Sequence, residues 1–216
     1  MTFRRYVESH YVDACYRQNG IVRDKQMVAM LRKGPHDPRL VASWMRDYGL
    51  FQGITGPNRI AIVNRFLQFA TEHESIVGDL SDDQVRNLYT ALFRALFQTV
   101  QRSWMSATSK LLWCLYPNTV VIYDAFVYRT LAVMQCLDDD LVGFPRIGEP
   151  PSIDGEDSIE AAVGHYMNYQ TMVRKLQSVH SQLLRELRAR NNVSYRYDVR
   201  IMDKLLWMIG NLRKAF

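Results

Sequence analysis

The sequence lacks the cysteine and histidine spacings that hold a metal ion or a disulfide framework. Its three cysteines, Cys15, Cys114 and Cys136, are far apart, odd in number and free of any CxxC pair. The five histidines are scattered, and no glycine-rich phosphate loop occurs. These absences argue against a zinc domain, a disulfide-stapled secreted domain, an ATPase and a dehydrogenase. We therefore expect reduced thiols, no metal and no cofactor.

Long apolar runs are also missing, and no stretch reaches the length that crosses a membrane. The first residues are amphipathic without the apolar core of a secretion signal. The composition is that of a globular protein, with 48% hydrophobic and 12% aromatic residues in 216. A chain of this size can bury a substantial core without staples. We expect a cytoplasmic monomer without membrane contact.

The charge is unevenly distributed. The net charge is +5, while many acidic residues lie between positions 138 and 160, so the rest of the chain is more basic than the total. Such a balance is compatible with a polyanionic partner, because lysine and arginine that neutralise phosphates release counterions. Many ordinary enzymes are equally basic, so charge alone does not identify the partner.

Hydrophobic residues recur at helical spacing along most of the chain, which predicts an all-α protein. Three helices are expected before residue 72: one that Gly20 stops, one that Asp37 and Pro38 open, and one from Thr55. A capping box at Ser81 predicts a long central helix after it. Further helices are predicted to about 116 and over 125–135, 167–189 and 198–212, with extended coil at 120–123 and an exposed loop over 138–156.

The stretch from Ser103 to Leu131 carries the most informative pattern: a polar hairpin, a helix, an apolar run and an aspartate, Asp124, that opens the next helix. It resembles the base-excision core of the helix-hairpin-helix DNA glycosylases, in the 8-oxoguanine-glycosylase-like branch. The resemblance implies a two-lobed orthogonal helical bundle. Residues 52–136 would form the core lobe with the hairpin and Asp124, and residues 1–51 plus 137–216 the second lobe.

The family's catalytic lysine would fall 18 residues before Asp124, where this chain has Ser106. Adenine glycosylases of the superfamily also have a serine there and hydrolyse the bond without a Schiff base. The resemblance therefore implies a monofunctional DNA glycosylase that removes a damaged or modified base, in DNA repair or antiphage defence. Asp124 and Ser106 would be catalytic, with Asp124 stabilising the positive charge that develops on the sugar.

Two further groups of residues follow from the resemblance. The DNA backbone would contact the start of the second hairpin helix, with Ser106 as its N-cap, through Arg102, Ser103, Ser106 and Lys110. Lys110 lies one turn after Ser106, and we expect it to contact a phosphate rather than to form a Schiff base. The base pocket would be formed by Trp104, Tyr123 and Asp203. Trp113 and Trp207 are expected in the core.

Several alternatives stay open at this stage. Asp124 is equally explained as a helix N-cap, and Asp203 as one half of a charge pair on an exposed helix face. The hairpin contains none of the glycines that the family usually has, which favours an inactive glycosylase-fold module that binds a modified base or nucleotide. A helical scaffold protein with incidental basic charge is the third possibility.

Overall fold

The computed structural model describes residues 2–16, 20–73, 78–136, 146–153 and 155–211, with the backbone alone at 20, 21 and 157. Within these ranges the chain forms ten α-helices and no strand, which confirms the all-α prediction. None of the helices in this part of the chain is long and apolar enough to cross a membrane. The helices are α1 (Phe3–Tyr16), α2 (Gly20–Lys33), α3 (Pro38–Asp47), α4 (Gly56–Glu72), α5 (Asp82–Val100), α6 (Met105–Leu115), α7 (Ala125–Met134), α8 (Ile159–Val179), α9 (Ser181–Arg190) and α10 (Asp198–Gly210).

Several helices begin where the local signals predict. The Ser81 hydroxyl accepts the Gln84 backbone N–H at 3.2 Å, and the Gln84 side chain accepts the Ser81 N–H at 2.8 Å, so the predicted capping box opens α5. Asp37 accepts the Arg39 N–H at 2.8 Å before α3. The apolar run 120–123 forms neither a helix nor a strand, in agreement with the predicted coil, and all four side chains are buried. Caps and turns are local, which is why the sequence predicts them.

Other boundaries differ from the prediction. Gly20, which was predicted to stop the first helix, begins α2, and α1 ends at Tyr16. Helix α2 was not predicted, although Met27, Val28 and Leu31 give it an apolar face. The helix predicted over 167–189 begins earlier, at Ile159, and divides at position 180 into α8 and α9. Of the predicted loop 138–156, residues 138–145 and 154 lie outside the described ranges, and 146–153 have no regular structure. Residue 212, the predicted end of the last helix, also lies outside them.

The core is continuous across the two predicted lobes, because one hydrophobic cluster includes residues from all ten helices. Helix α10 packs closely on α7, where the Thr130 hydroxyl donates to the Leu206 carbonyl at 3.0 Å and the Gly210 backbone meets Phe126. Helices α6 and α10 are buried on nearly every side. Most of their charged side chains therefore lie inside the protein, namely Lys110 on α6 and Arg200, Asp203 and Lys204 on α10. The division into two lobes stays a prediction.

Candidate active site

The predicted hairpin joins α5 to α6. Helix α5 ends at Val100, and its C-cap, Gln101, has a left-handed backbone with φ 47°. The N-cap of α6 is Trp104, whose carbonyl accepts the Thr108 N–H at 2.8 Å. The prediction that Ser106 is the N-cap is therefore wrong, since Ser106 lies within the first turn of α6. Its backbone N–H is still among the first N–H groups of the helix, which have no intrahelical acceptor.

At Lys110 the structure differs most from the expectation based on the sequence. This side chain was expected at the surface, but it is only 7% exposed. Its Nζ donates to the Ser106 Oγ at 2.5 Å and lies 3.9 Å from the Asp124 Oδ2. The residues around Lys110 on α6 are apolar or small and almost all buried, so a long side chain in the middle of this helix is enclosed. The Lys110 amine therefore faces Asp124 in the interior instead of lying at the surface, where it was expected to contact a phosphate.

Asp124 is the N-cap of α7, as predicted. Its Oδ1 accepts the Phe126 N–H at 2.9 Å, which leaves the other oxygen to face Lys110. The Asp124 side chain is 25% exposed, so the carboxylate reaches solvent. Immediately before it, the Tyr123 N–H donates to the Ser109 Oγ at 2.8 Å and ties the extended run to α6. This bond brings the start of α7 beside the middle of α6.

Burial lowers the pKa of the Lys110 ammonium, and the nearby positive charge of Arg200 lowers it further. The Asp124 carboxylate acts in the opposite direction and raises that pKa, but burial has the larger effect. An amine with a lowered pKa spends a larger fraction of time neutral, and the neutral form is the nucleophile. The pair thus combines a buried amine of lowered pKa with a carboxylate whose side chain is partly exposed.

Asp203 is a second carboxylate in the interior, and its charge acts on the Lys110 amine. It is 1% exposed and its Oδ2 accepts a hydrogen bond from the Arg200 guanidinium, three residues earlier on α10. Burial raises the pKa of Asp203 to about 6, although the positive charge of Arg200 opposes the shift. The alternative that placed Asp203 on an exposed helix face is therefore wrong. Its charge partner lies on the same helix, but both side chains are buried.

Asp24 on α2 completes the cluster, and it is fully buried. It accepts hydrogen bonds from the hydroxyls of Tyr48 at 2.6 Å and Tyr195 at 2.8 Å. Its Oδ2 also lies 4.0 Å from the Arg200 Nε and from the Lys204 Nζ. These contacts connect α2 to α10.

Asp24, Arg200 and Lys204 were not among the predicted site residues, although the sequence contained a signal for the last two. Helix α10 carries apolar residues on all sides, and such a helix is buried. Charged side chains in a buried helix have to be paired, because an isolated buried charge is very costly. Asp24 gave no such signal, because its helix was not predicted.

The three residues predicted for the base pocket are all buried: Trp104 is 7%, Tyr123 6% and Asp203 1% exposed. The Tyr123 hydroxyl forms a hydrogen bond with the His165 Nε2 at 3.0 Å. None of the three offers an open face to a base in this conformation. Trp113 is fully buried, as predicted. Trp207 is only partly buried and packs against the outside of the core.

The predicted backbone-binding residues of the hairpin lie at the surface. Arg102 and Ser103 are exposed. The Arg102 Nη1 donates to the Gln52 carbonyl at 2.8 Å, so this guanidinium also holds the loop between α3 and α4. Ser106 is partly buried against Lys110.

A cavity of about 520 Å³ opens beside the C-terminal end of α6. It is lined by the ends of α2 and α4, by Gly78 and Asp79, and by residues 115–119. None of the predicted site residues lines it, so this cavity is separate from the Lys110 pair. Across the part of the chain that the structure describes, no three His, Cys, Asp or Glu side chains converge on a possible metal position.

Comparison of the chain with protein-family models, with curated proteins and with solved structures gives no match. The interpretation of the site therefore depends on its geometry and on the pattern of residues 103–131.

Proposed function

We propose that the protein is a DNA N-glycosylase that removes a damaged or modified base, with Lys110 as nucleophile and Asp124 as the assisting carboxylate. One observation carries the proposal: a buried amine of lowered pKa lies 3.9 Å from a carboxylate that is partly open to solvent. Perturbed lysines paired with a carboxylate are typical of sites that need a neutral amine at ordinary pH.

The two side chains have complementary roles in this reaction. As the bond from C1′ to the base nitrogen breaks, positive charge develops on the deoxyribose, and the Asp124 carboxylate stabilises it. The neutral Lys110 amine forms a bond to C1′, while the base leaves with the electron pair of the broken bond and takes up a proton. The nitrogen of Lys110 then loses one proton to solvent. The bond from C1′ to the ring oxygen breaks next, the remaining nitrogen proton passes to that oxygen through solvent, and an imine between Lys110 and C1′ forms.

This proposal changes one expectation from the sequence. Counting back from Asp124 had put Ser106 in the position of the family lysine and implied hydrolysis without a covalent step. The hydrogen bond from Lys110 to Ser106 supports a covalent route instead, with Ser106 holding the amine beside Asp124. Ser106 is then a positioning residue.

The helix-hairpin-helix glycosylase fold belongs to the same proposal. Its support is the order of elements: a long helix, a short hairpin at 101–104, helix α6 and an aspartate that caps α7. The DNA backbone would lie across the hairpin, where Arg102, Ser103 and the first N–H groups of α6 can hold a phosphate. DNA with a modified base is the proposed partner of a monomeric enzyme.

The first test uses a duplex that contains an abasic site, whose aldehyde reports on the lysine without knowledge of the base. Incubation with the full chain and cyanoborohydride is expected to give a covalent protein–DNA adduct, with mass spectrometry placing it at Lys110. Lys110→Gln should abolish the adduct, whereas Lys175→Gln, at an exposed lysine of α8, should leave it unchanged. An adduct that survives Lys110→Gln contradicts the assignment.

The second test asks which base is released, with single- and double-stranded oligonucleotides that carry uracil, hypoxanthine or 8-oxoguanine. Asp124→Asn should reduce base release by at least about a hundredfold, in the range of one lost electrostatic contact in a transition state. Asp37→Asn is the matched control, because Asp37 also caps a helix through a side-chain bond of nearly the same length. Asparagine caps helices as well as aspartate, so both variants should fold.

The same experiments separate the alternatives. Salt-dependent binding of modified DNA without adduct or base release would identify a binding module that keeps the fold. Absence of any salt-dependent DNA affinity would leave the helical scaffold, and it would contradict the proposed function.

A further inference from the structure

Ser109 is a fully buried polar residue for which the proposed reaction has no role so far. It lies in the middle of α6, a helix that is buried on nearly every side. Its hydroxyl donates to the Ser106 carbonyl at 3.0 Å and accepts the Tyr123 backbone N–H at 2.8 Å. The first bond is local, since serine often bonds back to the preceding turn of its own helix. The second bond joins residues 14 positions apart and has no such local explanation.

The bond between Ser109 and Tyr123 has one member of the reactive pair next to each of its ends. Lys110 follows Ser109 on α6, and Asp124 follows Tyr123 at the start of α7. The 3.9 Å distance from the Lys110 Nζ to the Asp124 Oδ2 therefore joins the same two segments as this bond. Consecutive Cα atoms are only about 3.8 Å apart, so the bond limits how far the backbones at 110 and 124 can separate.

The apolar run 120–123, which ends at Tyr123, is also bound by side chains of α8. The Gln170 side chain accepts the Val121 N–H at 3.2 Å, and the Tyr166 hydroxyl donates to the Val121 carbonyl at 3.0 Å. Among the described residues, Ser109 provides the one side-chain hydrogen bond from α6 to this run. Without this bond the side chains of α8 alone would hold the run, and the separation of the reactive pair would no longer be fixed.

We propose that Ser109 is a positioning residue that holds the Asp124 carboxylate within reach of the Lys110 amine. Its part in base removal rests on the proposed function. The hydroxyl acts through the backbone of Tyr123 and takes no part in making or breaking bonds to the sugar. A displacement of about 1 Å between groups in an active site can lower a rate about a hundredfold, so a bond that fixes their separation affects catalysis directly.

The test measures how strongly Asp124 acts on the Lys110 amine in the absence of DNA. Carbon-13 NMR of labelled lysine follows the titration of Lys110 in the full chain, and Lys110→Arg identifies its signal. The Asp124 carboxylate raises the pKa of Lys110, so Asp124→Asn should lower that pKa. In Ser109→Ala the same substitution should lower the pKa by a smaller amount. An equal or larger lowering in Ser109→Ala overturns the proposal.

Thr119→Ala controls for a general loss of stability. Thr119 is also a buried residue whose hydroxyl accepts a distant backbone N–H, that of Leu80 at 3.3 Å. Its removal leaves the bond between Ser109 and Tyr123 in place, so Asp124→Asn should act on Lys110 as strongly as in the wild type. A weaker effect in Thr119→Ala would mean that any lost bond of this kind loosens the pair, and it would overturn the assignment to Ser109.

A measurement on the wild type covers the case in which Ser109→Ala does not fold. After correction for intrinsic rates, the Tyr123 amide hydrogen should exchange at least about a hundredfold more slowly than that of Ser103, an exposed residue of the hairpin. Comparable rates would mean that the bond to Ser109 does not persist, and they would overturn the proposal.

Adduct formation with abasic DNA separates this inference from the proposed function. Ser109→Ala should slow the adduct at Lys110 about tenfold to a hundredfold. If the adduct forms at the wild-type rate, the positioning role fails and the glycosylase function stands. If Ser109→Ala weakens the action of Asp124 on Lys110 but wild-type protein gives no adduct, the positioning role stands and the glycosylase function fails.

Discussion

Replacing Asp24 by asparagine removes one negative charge from the interior and keeps the size of the side chain. Asp24 lies 4.0 Å from both the Arg200 Nε and the Lys204 Nζ and accepts hydrogen bonds from two tyrosines. Arg200 and Lys204 have two carboxylates nearby, Asp24 and Asp203. After the substitution, only Asp203 is left. An asparagine oxygen can still accept a tyrosine hydrogen bond, but the amide nitrogen cannot.

The size of the effect follows from these contacts. Removing one partner of a buried ion pair costs about 3–5 kcal/mol, since it leaves a buried charge without compensation. The lost tyrosine hydrogen bond adds about 1 kcal/mol. Lys204 relieves part of the cost by losing its proton, because burial has lowered its pKa to about 8. We expect a loss of about 4 kcal/mol, a large part of the roughly 5–15 kcal/mol that stabilises an ordinary domain.

Urea unfolding followed by circular dichroism measures this loss. With a slope of about 2 kcal/mol per molar urea, the midpoint should fall by roughly 2 M. Asp47→Asn is the matched control: its 3.2 Å pair with Arg23 is 34–39% exposed, so its loss should stay within about 0.5 kcal/mol. Adding Lys204→Met to Asp24→Asn should recover about 1–2 kcal/mol through their coupling. Equal midpoints for Asp24→Asn and Asp47→Asn would refute the reasoning.

Three further predictions concern the backbone and the pH dependence. Gly210→Ala places a Cβ against the Phe126 carbonyl and the Thr130 hydroxyl. We expect the free energy of unfolding, measured with urea, to fall by about 1–3 kcal/mol. An unchanged midpoint would mean that α7 and α10 separate without cost. Gln101→Gly removes the strain of a side chain on a left-handed backbone with φ 47°. Thermal melting should show that the stability rises by up to about 1 kcal/mol. A lower Tm would show that contacts of the Gln101 side chain contribute more to stability than the strain costs. Burial lowers the pKa of Lys204 from 10.5 to about 8, so its buried charge destabilises the folded protein below pH 8 and this cost is relieved as the pH rises. The free energy of unfolding should therefore increase by up to about 3 kcal/mol between about pH 8 and 10. The same increase in Lys204→Met would contradict this prediction.

The sequence by itself determined the features that depend on neighbouring residues. Ser81 and Gln84 form their capping box from groups three positions apart, and the Asp124 cap uses the N–H two residues later. Helical periodicity predicted the all-α fold for the same reason, since it is read within a few turns. Helix α2, which was not predicted, shows the limit of such signals, because Gly20 was predicted to stop a helix and is instead the first residue of α2.

Only the tertiary structure decided which side chains meet. Lys110 is 14 residues from Asp124, and Asp24 is 176 residues from Arg200, so no local spacing relates either pair. A count along the chain selected Ser106 as the group beside Asp124, whereas the packing of α6 against the start of α7 put the amine of Lys110 there, one helical turn later. The physical reason is the length of the lysine side chain. One helical turn separates the backbones of positions 106 and 110 by about 5.4 Å along the axis. A lysine side chain enclosed by apolar helices can extend back over that distance.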